Sequence, residues 1–182
     1  VRLSISMEYM KKSEIEYYYT QAARQLRDQA RDFEGFSPSV LGSYELLYKL
    51  AGPLCEGKKV LDYGCGNGVH SEFLAKHAKE VVGIDLSEAS LEIAKKLVAR
   101  EGGGDRVTFL KMDCEALEFP IASFDMVFDG GTFSSLYFEK AIGEIARVLK
   151  PEGALVGIET FGHNPLANLK RAYNKMTGKR TV

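Results

Sequence analysis

Cysteine is scarce in this chain. Three stand at Cys55, Cys65 and Cys114, an odd number at wide spacing, which excludes a disulfide framework and a zinc-type ligand set. Reduced thiols are the expectation, and with them a cytoplasmic protein and no metal. No apolar run approaches the ~18 residues that a membrane-crossing helix needs. The opening "VRLSISMEYM" has one arginine and no long apolar core, so it does not read as a secretory signal, and it begins without methionine. Neither sign of charge dominates: 24 Lys+Arg against 25 Asp+Glu leaves a formal net charge of −1, and no polyelectrolyte partner is implied. Internal repeats and low-complexity tracts are also missing. What is present is 182 residues, 45% hydrophobic and 27% charged, which suits one soluble domain with a sizeable core.

Apolar runs rich in β-formers alternate with helical patterns. Residues 58–63, 80–85, 106–113, 124–129 and 153–159 read as five strands. Between them, Leu91, Ala94, Leu97 and Val98 recur at helical spacing, as do Ile142, Ile145, Ala146 and Leu149. Strands alternating with helices imply crossover connections and a mostly parallel sheet covered on both faces. Right-handed crossovers make the doubly wound, Rossmann-like α/β fold the expectation. Upstream, residues 14–33 read as one helix, "FSPS" (36–39) breaks it, and a second begins at Val40. "LKPEG" (149–153) reads as a helix stop and turn before the fifth strand.

The sharpest signal is "KVLDYGCGNGVH" (59–70). Gly64, Gly66 and Gly68 follow an apolar strand and precede a helix starting near Gly68. Glycines there let the chain turn sharply and let a ligand approach the backbone, near converging N–H groups. A dinucleotide fingerprint would need its third glycine at Val69, one residue later than Gly68. The second strand ends in Asp85, placed to accept hydrogen bonds from two ribose hydroxyls. Ser87 is the better cap for the following helix, which leaves Asp85 free of that task. Nicotinamide and adenosylmethionine sites share this acid, so it does not choose between them.

The segments "VLDYGCGNG", "VVGIDLS", "VTFLKMDCEALEFP", "FDMVFD" and "IARVLKPEGAL" together resemble the class I S-adenosylmethionine-dependent methyltransferases, closest to the small-molecule group that includes quinone-biosynthesis enzymes. The resemblance covers roughly residues 58 to 160 and is nearly silent on substrate. It implies three regions within one domain: N-terminal helices and cofactor lid at 1–57, a cofactor-binding core at 58–162, and a basic segment at 163–182. It implies that Gly64, Cys65 and Gly66 wrap the methionine part of the cofactor, with Gly68 also among the cofactor-binding residues and Asp62 near the ammonium. Asp85 would hold the ribose and Leu86 would pack on adenine. Met112, Asp113 and Cys114 would meet the adenine ring, and Asp129 would lie beside the transferred methyl. Tyr18, in the "YYY" run, could face the sulfonium.

Methyl transfer from a sulfonium is a direct displacement, so alignment carries most of it and no catalytic dyad is required. A base is needed only if the acceptor carries a proton that must leave. His163, after the fifth strand, is the candidate, with Glu159 and Asn164 weaker ones. His70 and His77 read as a solvated helix face. "DGGT" (129–132) stands where amide- and adenine-methylating enzymes carry a Pro-Pro motif, which disfavours nucleic acid as substrate. The family fold has seven strands, yet nothing after the fifth reads as one, so the C-terminal hairpin is expected to be missing. The fifth strand is then an open edge able to pair with a second copy. The leading expectation is methyl transfer to oxygen, nitrogen or carbon of a small molecule, releasing S-adenosylhomocysteine. A nicotinamide oxidoreductase and a non-catalytic cofactor-binding or dimerisation module are the alternatives.

Overall fold

The computed structural model describes residues 38–159. The expected helix at 14–33, Tyr18, His163 and the basic segment 163–182 lie outside the described residues. Within them the chain runs α1 (Pro38–Cys55), β1 (Lys59–Tyr63), α2 (Val69–Ala75), β2 (Glu80–Asp85), α3 (Glu88–Arg100), β3 (Val107–Lys111), β4 (Phe124–Asp129), α4 (Phe138–Val148) and β5 (Leu149–Gly157). Single 3₁₀ turns, Gly104–Arg106 and Phe133–Ser135, precede β3 and follow β4.

The strands form one sheet in the order β3-β2-β1-β4-β5, with every pairing parallel. The chain winds outward from β1 to β3, then returns to place β4 on β1's other side. That reversal opens a crevice at the carboxyl ends of β1 and β4, where a doubly wound sheet takes its ligand. Alternation along each strand feeds two cores. Leu61, Tyr63 and Val127 face Ala141, Ile145 and Val148 of α4. Val60, Met126 and Phe128 face Leu47, Ala51 and Cys55 of α1 and Leu74 of α2. Full burial of one such aliphatic side chain stabilises the fold by about 1.5–3 kcal/mol. Helices on both faces give the doubly wound architecture the strand pattern predicts.

Several boundaries differ from the sequence reading. The helix expected from Val40 begins at Pro38, where proline's fixed φ suits a first turn. β3 ends at Lys111, so Met112 and Asp113 lie beyond it. α4 buries Ala141, Ile145 and Val148, while Ala146 is exposed. β5 starts at Leu149, four residues before the expected 153, directly after α4. Phe124 faces Leu149 and Met126 faces Ala154, so residues 150–153 bulge out of the ladder. Pro151 in that bulge has no N–H to give a ladder. Among the described residues no further strand pairs with the outer edge of β5.

Candidate functional site

β1 delivers Asp62 and the 64–68 loop to the crevice. Gly64, Gly66 and Gly68 all adopt positive φ, at 69°, 53° and 83°. The last two do different work. A Cβ on Gly68 would sit 2.6 Å from Ala94 Cβ and 2.8 Å from its Cα, so this glycine lets α2 pack onto α3. A Cβ on Gly66 would meet nothing within 4 Å, so this part of the loop faces open space. Gly64 lies under the side chain of Thr132, whose Oγ1 donates to the Tyr63 carbonyl at 3.1 Å.

Asp85, ending β2, holds this loop from the side. Its Oδ2 accepts from the Gly66 N–H at 3.0 Å and its Oδ1 from the Ser87 N–H at 2.8 Å. Ser87 is the cap of α3, with Oγ accepting from the Ser90 N–H, as the sequence suggested. The Asp85 carboxylate is therefore fixed against the glycine turn. Leu86 is partly buried beside it.

Asp62 is 1% exposed. Its Oδ2 accepts from Ser71 Oγ at 2.5 Å, while Oδ1 is buried without a hydrogen-bond partner. Burial pushes its carboxyl up to about 7, Ser71 opposes, and the Asp129 and Asp85 charges add to the rise. Asp129, ending β4, is fully buried and accepts from the N–H groups of Gly131 at 3.2 Å and Thr132 at 3.0 Å. Burial lifts it too, to about 7, and the charge of Glu159 contributes. Glu159, just past β5, has a buried Oε1 with no hydrogen-bond partner. Across the sheet from Asp129, Gly157 has no side chain to crowd that carboxylate, since a Cβ would approach its Oδ2 to 3.3 Å.

The 112–114 segment reaches the same edge from β3. The Met112 N–H donates to the Asp85 carbonyl, and Asp113 Oδ1 accepts from the Glu115 N–H at 2.9 Å, a turn role. Met112 packs against the core. The buried Tyr63 hydroxyl donates to the Cys114 carbonyl at 2.6 Å and pins the segment to β1. Burial pushes the Cys65 and Cys114 thiols well up, so both are neutral. The three cysteines are free thiols. Among the described residues no group of His, Cys, Asp or Glu could hold a metal ion, and no helix is long and apolar enough to cross a membrane.

His70 corrects the sequence reading. It does not lie on a solvated face. Its ring stacks on Tyr44 at 5.5 Å, lies 5.3 Å from Phe128, and its Nδ1 is 2.8 Å from the Tyr48 hydroxyl. Burial lowers its pKa to about 4, so the ring is neutral. His77 stays partly exposed, with Nδ1 3.5 Å from Glu56 Oε2. The sequence reading also missed Tyr44, Tyr48 and Thr132. Tyr44 and Tyr48 stand one helical turn apart, a detectable spacing, but nothing local says which face meets His70. Arg147, likewise unremarked, donates to the Phe119 and Leu117 carbonyls at 2.6 and 2.7 Å and fastens the loop before β4 to α4.

A parallel sheet with a glycine loop at its switch point, and an acid ending the next strand against that loop, defines a nucleoside-binding class of α/β protein. Comparisons with known proteins narrow the class. Residues 60–153, more than half of the chain, match a family model described as a methyltransferase domain. The demethylmenaquinone methyltransferase of Clavibacter sepedonicus is 36% identical over 119 residues, covering 65% of this chain and 47% of the relative. The ubiquinone biosynthesis O-methyltransferase of Leptothrix cholodnii is 38% identical over 112 residues, covering 60% and 47%. The solved PH0226 protein from Pyrococcus horikoshii superposes with a TM-score of 0.64 at 29% identity, covering 74% of this chain and 65% of that one. The chain belongs to the methyltransferase-domain family and carries the class I methyltransferase fold. It spans about half the length of these curated relatives.

Proposed function

We propose that the protein is an S-adenosylmethionine-dependent methyltransferase acting on a small molecule. The observation that carries this is the contact between Asp85 and the open turn at Gly66 in a chain of this family. The residues fit the cofactor. Gly66 has room for a ligand against its backbone, Asp85 carries carboxylate oxygens for ribose hydroxyls, and the unpartnered Asp62 Oδ1 suits an ammonium. Residues 112–114 would border the adenine and Asp129 the methyl-bearing end. When bound, the cofactor supplies a methyl group activated on a sulfonium. The chain's own part is to keep water out, to border the positive charge with carboxylates, and above all to align donor and acceptor, and that alignment alone can be worth ~7–11 kcal/mol.

Quinone- and sterol-modifying relatives support a small-molecule acceptor. On the acceptor side, Glu159 joins His163 as a candidate proton acceptor, because its Oε1 is buried beside Asp129 without a partner. The outer edge of β5, unpaired among the described residues, supports pairing with a second copy, and three free thiols support a reducing compartment. Titration calorimetry with adenosylhomocysteine and with NAD tests the cofactor reading. Micromolar binding of the first and none of the second is expected; the reverse overturns it. Release of adenosylhomocysteine with a panel of phenols, quinols and amines tests turnover.

A further inference from the structure

Helix α1 lies outside the residues that match the family model, yet it reaches the turn after β4. The Tyr44 hydroxyl donates to the Gly130 carbonyl at 3.3 Å. The Tyr48 hydroxyl and His70 Nδ1 are 2.8 Å apart, a hydrogen bond whose direction follows the tautomer of the ring. The opposite edge of that ring presses on Gly130. A Cβ there would stand 2.5 Å from both His70 Cδ2 and Nε2, so the ring occupies the place of a side chain. Gly130 is thus gripped at its carbonyl by Tyr44 and at its α-carbon by His70.

Gly130 immediately follows Asp129, and the next two N–H groups, of Gly131 and Thr132, hold the Asp129 carboxylate. Thr132 in turn covers Gly64 and bonds the Tyr63 carbonyl. A single packed path runs from Tyr48 through His70 and Gly130 to Asp129 and the first glycine of the ligand loop. Its members are buried or half-buried, and the Tyr48 ring is itself fixed on Phe73 at 4.1 Å.

We infer that His70 is a positioning residue: oriented by the Tyr48 hydroxyl, it sets the Gly130 backbone and through it the place of Asp129 in the cofactor site. It need not touch the cofactor. The inference rests on the proposed adenosylmethionine reading, and its test separates the two.

The probe is adenosylhomocysteine, titrated by calorimetry into the full chain and into Tyr48→Phe, His70→Leu, His70→Asn and the Tyr48→Phe/His70→Leu pair, each with its unliganded melting temperature. Tyr48→Phe loses one hydroxyl and keeps the ring stacked on Phe73, so it preserves the fold. Tyr48→Phe and His70→Leu are each expected to weaken binding by about tenfold, with the pair no more than about twofold worse than either, as for groups acting in one path. His70→Asn, whose amide can stand in for Nδ1, is expected to bind within about threefold of wild type. A purely structural His70 would lower melting temperatures and leave affinity of the folded protein alone. The inference is overturned if the folded single variants bind within twofold of wild type, if their losses multiply in the pair, or if Asn does no better than Leu. Failure of the wild-type chain to bind sinks the cofactor reading instead.

Discussion

Asp62 is the residue on which pH acts most plainly. Its carboxyl is held near 7 in the fold against an ordinary 3.8, chiefly by burial. The folded state therefore keeps a proton that the unfolded chain gives up, so the stabilisation is complete below 3.8 and fades as pH rises through 7. Asp129 behaves the same way. His70 runs opposite: its pKa falls from 6.5 to about 4, so its contribution is present above 6.5 and lost as pH falls toward 4. Asp62→Asn, which keeps an acceptor for Ser71, should raise the melting temperature of the unliganded protein more at pH 8 than at pH 5. An equal shift at both would refute the assignment. An ammonium brought against Asp62 favours the carboxylate. Adenosylhomocysteine binding near pH 6.5 should then release a fraction of a proton, and at pH 8.5 none. Calorimetry in buffers of different ionisation enthalpy reads this directly.

At the scale of elements, the glycine loop separates binding from stability. Gly66→Ala puts a methyl into open space at positive φ and should cost about 1–2 kcal/mol, while sharply weakening adenosylhomocysteine binding. Gly68→Ala drives a methyl into Ala94 and should cost roughly 2–5 kcal/mol, with strain and overpacking combined. Denaturant melts and titrations on the two variants check the contrast; equal stability losses would contradict it. Tyr63→Phe leaves the Cys114 carbonyl buried without its donor, at a cost of about 1–3 kcal/mol by the same melts. The strands and the loop were legible because period and glycine spacing are local properties of sequence. Ser87 was legible too, since a cap is decided within four residues. His70 was not, because its neighbours come from α1 and β4 and no local period encodes them. β5 began early for a similar reason: Phe124 recruits Leu149 across the sheet, overriding the turn that Pro151 and Gly153 advertise.

For the whole molecule, the sheet is closed on neither side among the described residues, and each margin carries an exposed leucine, Leu110 on β3 at 36% and Leu155 on β5 at 39%. If a second copy pairs along β5, sedimentation at rising concentration should show a dimer, and Leu155→Lys should shift it to monomer, since a charge on an open edge blunts pairing. A wild-type chain monomeric at the highest concentration removes that idea. Helix α1 adds a further apolar margin, Leu46, Leu50 and Leu54, at 59%, 55% and 49% exposure.

The pairing of Val60 with Met126 has a consequence for how the chain is made. The central strand waits on a neighbour that leaves the ribosome tens of residues later, and until then its flank stays bare. Non-local parallel partners of this kind slow folding and lengthen the exposure of sticky surface. Ribosome-bound chains ending before residue 124 should therefore be protease-sensitive at β1, and chains extended past β5 should not.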